Sequence, residues 1–226
     1  MLNAALLIAR KDLTLLIGRR SAGFMQSILL GLLLIFLFSL STGIGERMTP
    51  QDATAIFWMA TCFCQVLIFN GLYNLEESHG QRVALLLTPI AIQAVWLGKA
   101  LAALLLIILA QLLFIPAIVV FLAQEISQYW YYALAIIAIA DIGTVALGSL
   151  LGALSQGHSG RESLFSIIIF PLLIPLFLAG IHVGQCALSS APPLDMQQWF
   201  GMALAFDAIF MAAGLLLFPY IFTAEN

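Results

Sequence analysis

Chemistry needs polar groups gathered in one place, and this chain gathers them once. The stretch Tyr73-Asn-Leu-Glu76-Glu77-Ser-His79-Gly80-Gln-Arg82 sets two carboxylates, an imidazole and a guanidinium between long apolar runs. A short leucine run through Leu85 follows, closed by Thr88-Pro89, and Lys99 stands one apolar stretch further on. Acids beside a histidine could in principle move a proton or hold a metal, but the spacing argues against both. His79, His158 and His182 lie in separate segments, and neither a zinc-protease pattern nor a nucleophile elbow occurs. Gly98-Lys99 is followed by Ala100, with no glycine five residues earlier, so no phosphate-binding loop is present. No catalytic residue and no metal ligand is therefore assigned. What remains is contact chemistry: a charged segment with an apolar knob at Leu85, suited to gripping a partner. The alternative is an ordinary solvated loop.

Two further acids lie inside apolar runs, where a charge costs about 2.5–3.5 kcal/mol to insert. Asp141 and Asp207 could line a polar path, but two isolated acids without a buried base make a poor proton relay. A polar contact within a helix bundle, with Gln111, Gln65 or Asn70 as partner, is the favoured reading. His182 and Cys186 stand one helical turn apart and could share a ligand such as haem iron, although an interfacial histidine and a small buried cysteine explain them more simply. Pro171 and Pro175, at i and i+4, predict a kinked or broken helix, either a hinge or a static bend. Three cysteines, Cys62, Cys64 and Cys186, have no metal-site spacing.

The elements that must position these groups follow from composition. Of 226 residues, 63% are hydrophobic and 8% charged, against about 25% charged in a soluble domain. The fold class is therefore an all-α polytopic membrane protein without a soluble domain, and no basic patch suggests nucleic acid. Apolar runs long enough for a bilayer predict six spans, at about 22–44, 53–73, 91–122, 131–154, 164–184 and 199–222. The proline at 89 separates residues 74–89 from the third span as a short helix of their own, because proline removes a backbone donor and biases Thr88 away from helix. Ahead of the first span, Leu2, Leu6, Ala9, Leu13, Leu16 and Ile17 make a helical stripe, with Arg10, Lys11 and Asp12 off it. Residues 1–20 thus read as an amphipathic helix lying at the membrane interface. The first span reads as retained, because its apolar core exceeds the 7–15 residues or so of a cleavable signal. Gly143, Gly148 and Gly152 give the fourth span a small-residue spacing suited to close helix approach.

Orientation follows from Lys and Arg. Arg10, Lys11, Arg19, Arg20, Arg82 and Arg161 fall on one side with Lys99 close by, and Arg47 alone on the other. The positive-inside rule makes both termini, and the 74–89 segment, cytoplasmic. Tyr129, Trp130, Tyr131 and Trp199 fit an aromatic belt at the opposite interface.

The spacing Tyr73, Glu76, Gly80, Leu85, Pro89, Lys99 resembles the heme exporter protein B family, the membrane permease subunit of the cytochrome c maturation ABC complex. The chain departs from that pattern at His79, where an acid is usual, and at Gln81-Arg82-Val83. A second likeness is Ser166 followed by Pro171-Leu172 and Ile174-Pro175 in the fifth span. The first motif is shared in looser form with type-2 ABC exporters generally. The resemblance implies a permease in the bacterial cytoplasmic (inner) membrane that forms a homodimer and pairs with two copies of a separate ATPase, which binds ATP and magnesium. It further implies a haem-handling membrane subunit and a periplasmic haem chaperone as partners, with haem handled by the complex and no cofactor resident in this chain. Residues 74–89 would then be the coupling segment on which the ATPase acts, with Tyr73, Glu76 and Gly80 forming the bend and contact and Leu85 the knob. The alternative is a type-2 exporter permease for a lipid, glycan or drug.

Overall fold

A computed structural model describes residues 1–17, 23–41, 43, 47–78, 90–155, 161–189 and 195–223, with the side chains of 74–78, 161–166 and 223 left aside. Seven α-helices account for nearly all of it: α1 Leu2–Ile17, α2 Gly23–Ser41, α3 Pro50–Ser78, α4 Ile92–Phe121, α5 Trp130–Ser155, α6 Arg161–Gly184 and α7 Met196–Thr223. A single 3-10 turn, Gln185–Ala187, follows α6. Helices α2 to α7 are each long and apolar enough to cross a membrane, and the protein is an all-α polytopic membrane protein. The physical reason is that a bilayer offers the backbone no partners, so each span must satisfy its own N–H and C=O groups.

Local chemistry sets the ends. Thr49 caps α3: its hydroxyl accepts from the Asp52 N–H (3.1 Å) and donates to the Asp52 carboxylate (2.6 Å), with Pro50 at the first helical position. After α4 the chain turns through Ala123 at φ +50°, and the Gln124 side-chain amide donates to the carbonyls of Leu122 (2.8 Å) and Met48 (3.0 Å). Helix α6 runs without interruption through Pro171 and Pro175, so the helix is not broken there.

Helices of equal greasiness gain little from burial against one another in lipid, so they associate by close packing around small residues. The packing here is aromatic ring against glycine. Phe69 and Tyr73 of α3 lie over Gly148 and Gly152 of α5, Trp58 of α3 over Gly180 of α6, Phe114 of α4 over Gly31 of α2, and Trp96 of α4 over Gly214 of α7. A Cβ at any of these glycines would run into the ring that covers it. Helix α5, packed extensively on both α6 and α7, forms the centre of the bundle, and α3 packs against α2, α4 and α6.

Candidate functional site

The 79–89 segment lies outside the described residues, and with it His79, Gly80, Arg82, Leu85 and Pro89. Its two roots are on the page. Helix α3 continues as helix beyond the apolar run to Ser78, carrying Glu76 and Glu77 in its last turns, and α4 begins at Ile92 and reaches Lys99 two turns later. The site is built from what joins these roots.

Tyr73 and Lys99 come together. Tyr73 is buried, and its hydroxyl donates to the Ser149 carbonyl of α5 at 2.6 Å. Its ring seats against Gly152, one turn along the same helix. The Lys99 ammonium lies 4.4 Å from the centre of that ring and donates to the Leu72 carbonyl at 3.3 Å. Lys99 is completely buried. A fully enclosed ammonium requires an opposite charge as well as hydrogen bonds, and Asp12 of α1 supplies it, with Oδ2 at 3.9 Å from the Lys99 Nζ. The Asp12 side chain is 4% exposed, and its Oδ1 is 3.1 Å from Lys11.

Helix α1 can bring Asp12 there because one face of it docks on two glycines. A Cβ at Gly98 would come within 2.8 Å of both the Ala5 carbonyl and the Ile8 Cβ, and one at Gly71 would lie 3.1 Å from Leu16. The buried face of α1 is accordingly Ala5, Ile8, Ala9, Asp12 and Leu16. The stripe read from hydrophobicity is divided: Ala9 and Leu16 are buried and Leu13 partly so. Leu2, Leu6 and Ile17 are exposed, on the side of α1 turned away from Gly98 and Gly71. Asp12, read as lying off the stripe beside Arg10 and Lys11, is in the interior, opposite the buried Lys99. Asp12 is the site residue that sequence reasoning missed. The signal was present, since Asp12 sits at helical spacing from Ala5, Ile8 and Leu16, but its neighbours Arg10 and Lys11 made it look solvated.

The other candidates are dispersed. Asp141 of α5 accepts a 2.7 Å hydrogen bond from the Gln111 side chain of α4. The Gln65 amide of α3 donates to the Thr144 hydroxyl at 3.1 Å, which in turn donates to the Asp141 carbonyl at 3.1 Å. The polar contact favoured for Asp141 is thus present, and it stitches three helices. Asp207 of α7 is buried against Gly143, and its Oδ1 accepts no hydrogen bond among the described residues. His182 and Cys186 each have a neighbour within the protein. The His182 ring stacks on Trp199, 4.2 Å apart and 12° from parallel, while the Cys186 thiol points to the His182 carbonyl at 3.9 Å. Among the described residues no group of three His, Cys, Asp or Glu is placed to hold a metal.

Comparison with known proteins adds what geometry cannot. A family model described as CcmB protein matches residues 3–225. The heme exporter protein B of Haemophilus influenzae is 26% identical over 209 residues, covering 91% of this chain and 90% of that protein. The heme exporter protein B of Pseudomonas aeruginosa is 27% identical over 219 residues, covering 93% and 95%.

Proposed function

The chain belongs to the CcmB family, and on that footing we propose that it is the permease subunit of an ABC transporter complex for cytochrome c maturation. In this reading two copies of the chain pair with two copies of a separate ATPase, and both termini and residues 74–89 face the cytoplasm. ATP hydrolysis in the partner is coupled through that segment to haem delivery, or to release of the haem-loaded periplasmic chaperone. The chain itself catalyses nothing.

The observation that supports coupling is the joint at the roots of the segment. A push on residues 79–89 must act on α3 and α4, and these are tied at that point by the Lys99 hydrogen bond to Leu72 and by the Lys99–Tyr73 contact. Tyr73 carries the connection on to α5 through Ser149. Asp12 brings α1 into the same joint. A movement delivered there is therefore passed to four helices rather than absorbed in a loop, because packed interiors shift between discrete arrangements instead of deforming continuously.

The test uses tagged protein. Pull-down is expected to recover an ATPase together with haem-handling subunits, whereas an ATPase alone would favour an exporter of another substrate. Glu76→Ala and Gly80→Val are expected to abolish coupled ATPase activity or partner capture while the protein still inserts. Normal coupling in both variants would reduce the segment to a loop.

A further inference from the structure

At the end of the bundle away from Lys99, a cavity of about 390 Å³ lies among α3, α4, α5 and the 3-10 turn after α6. This is the size range of small-ligand pockets. Its inner wall is Phe57, Trp58, Ile118 and Ala133, and the Thr54 hydroxyl on its lining is already engaged with the Pro50 carbonyl at 2.7 Å. Its rim carries Ile126, Trp130 and Leu134, all exposed. Ile126 and Leu188 also line a second recess of about 380 Å³, whose other walls include Arg47, Thr49, Gln124, Glu125 and Ser127. The two spaces therefore adjoin, one apolar and one that sets charged and polar groups among apolar walls such as Met48, Pro50 and Ala123. On the polar rim Arg47 and Glu125 form a 2.8 Å ion pair, with side chains 72% and 80% exposed.

We propose that this paired cavity is a binding site for one bilayer phospholipid, with an acyl chain in the apolar cavity and a zwitterionic phosphoethanolamine headgroup across Arg47 and Glu125. An apolar space continued by one that carries a charged pair fits an amphiphile, whose two ends differ in the same way. An apolar space opening beside Trp130, at the end of a span where amphipathic rings mark the headgroup level, takes a hydrocarbon chain without displacing any polar contact. The charges choose the headgroup. Arg47 offers planar paired donors suited to phosphate oxygens, and Glu125, a short distance away, accepts from a primary ammonium. Phosphatidylglycerol would answer only the first, and the methylated ammonium of phosphatidylcholine has no proton to donate to the second. The rim is fixed in advance: Gln124 is held to Met48 and Leu122, and the Ser127 N–H donates to the Ala187 carbonyl at 2.7 Å. This site stands apart from the Asp12–Lys99 joint and does not depend on the transport reading.

The full chain is reconstituted in nanodiscs of equal parts phosphatidylethanolamine, phosphatidylcholine and phosphatidylglycerol with identical acyl chains, and retained lipids are counted by native mass spectrometry. Wild type is expected to retain one phosphatidylethanolamine in about fivefold preference to either competitor, equivalent to about 1 kcal/mol. The rim variant Arg47→Gln/Glu125→Gln, exposed and without a packing role, is expected to remove the preference. Ala133→Phe, which fills the cavity, is expected to lower retention of all three lipids. Equal retention of the three headgroups by wild type would show ordinary annular lipid and overturn the proposal. So would a phosphatidylglycerol preference, or a phosphatidylethanolamine preference that survives the rim variant, which reads out even where Ala133→Phe does not fold.

Discussion

Replacing Lys99 by methionine isolates the joint at the roots of the proposed coupling segment. The substitution keeps the aliphatic stem that threads between α3 and α4 and removes the ammonium. At 3.9 Å from Asp12 that ammonium contributes about 4 kcal/mol of attraction at an effective dielectric near 20. The gain is largely offset by the cost of taking both charges out of water. Removing one partner leaves the cost without the attraction, and breaking buried pairs costs about 3–5 kcal/mol. Here Lys11 remains 3.1 Å from Asp12 and compensates part of the charge. The lost contact to the Tyr73 ring adds about 1 kcal/mol. We therefore expect Lys99→Met to destabilise the protein by about 3 kcal/mol. The double variant Asp12→Asn/Lys99→Met, which leaves no buried charge, should cost only about 1 kcal/mol. The assay is reversible unfolding of purified protein in mixed micelles across the double-mutant cycle, which isolates the pairwise coupling. A coupling energy of at least about 2 kcal/mol is the expected outcome, that being the margin by which the double variant is less destabilised than Lys99→Met alone. If Lys99→Met costs no more than the double variant, Asp12 is not the partner that makes Lys99 burial tolerable, and the joint loses its physical basis.

Other substitutions read the same bundle at separate points. Gly152→Ala places a Cβ into the Tyr73 ring and should cost about 1–3 kcal/mol by overpacking, seen as a lower melting temperature, whereas Gly201→Ala meets nothing within 4 Å and serves as the neutral control. Gln111→Leu removes the donor to the buried Asp141 and should cost about 1–3 kcal/mol, while Asp141→Asn retains a hydrogen-bonding partner and should change both stability and transport by less than about twofold. A large transport loss in a stable Asp141→Asn protein would instead place Asp141 on a polar path. Asp207→Asn replaces a buried carboxylate whose Oδ1 accepts no hydrogen bond among the described residues, and should stabilise by about 1 kcal/mol or more, measured by the same unfolding titration.

Six spans are legible in the sequence because the bilayer's demand is one-dimensional: about twenty apolar residues in a row, whatever they pack against. The small-residue spacing on α5 is legible for a similar reason, since Gly148 and Gly152 at i and i+4 must share a face. They lie under Phe69 and Tyr73. What hydropathy cannot convey is which face of a helix meets protein and which meets lipid, because both are apolar. Helix α1 shows the consequence. Its leucines divide between the two surroundings: Leu16 is buried with Ala5 and Ile8 where Gly71 and Gly98 allow close approach, while Leu2 and Leu6 are exposed. Lys99 and Asp12 were illegible for the complementary reason: each looks like a surface charge until the other is set opposite it. The pairing depends on a contact between residues far apart along the chain. Tyr73 lies between these cases. Its place at the start of the polar island is plain from the sequence, but its burial beneath Lys99, with its hydroxyl on α5, is a property of three helices at once. A charged island between spans identifies where a partner could push. Whether that push reaches the bundle depends on the buried contacts at its roots, and there Asp12, Tyr73 and Lys99 provide a continuous route from α1 to α5.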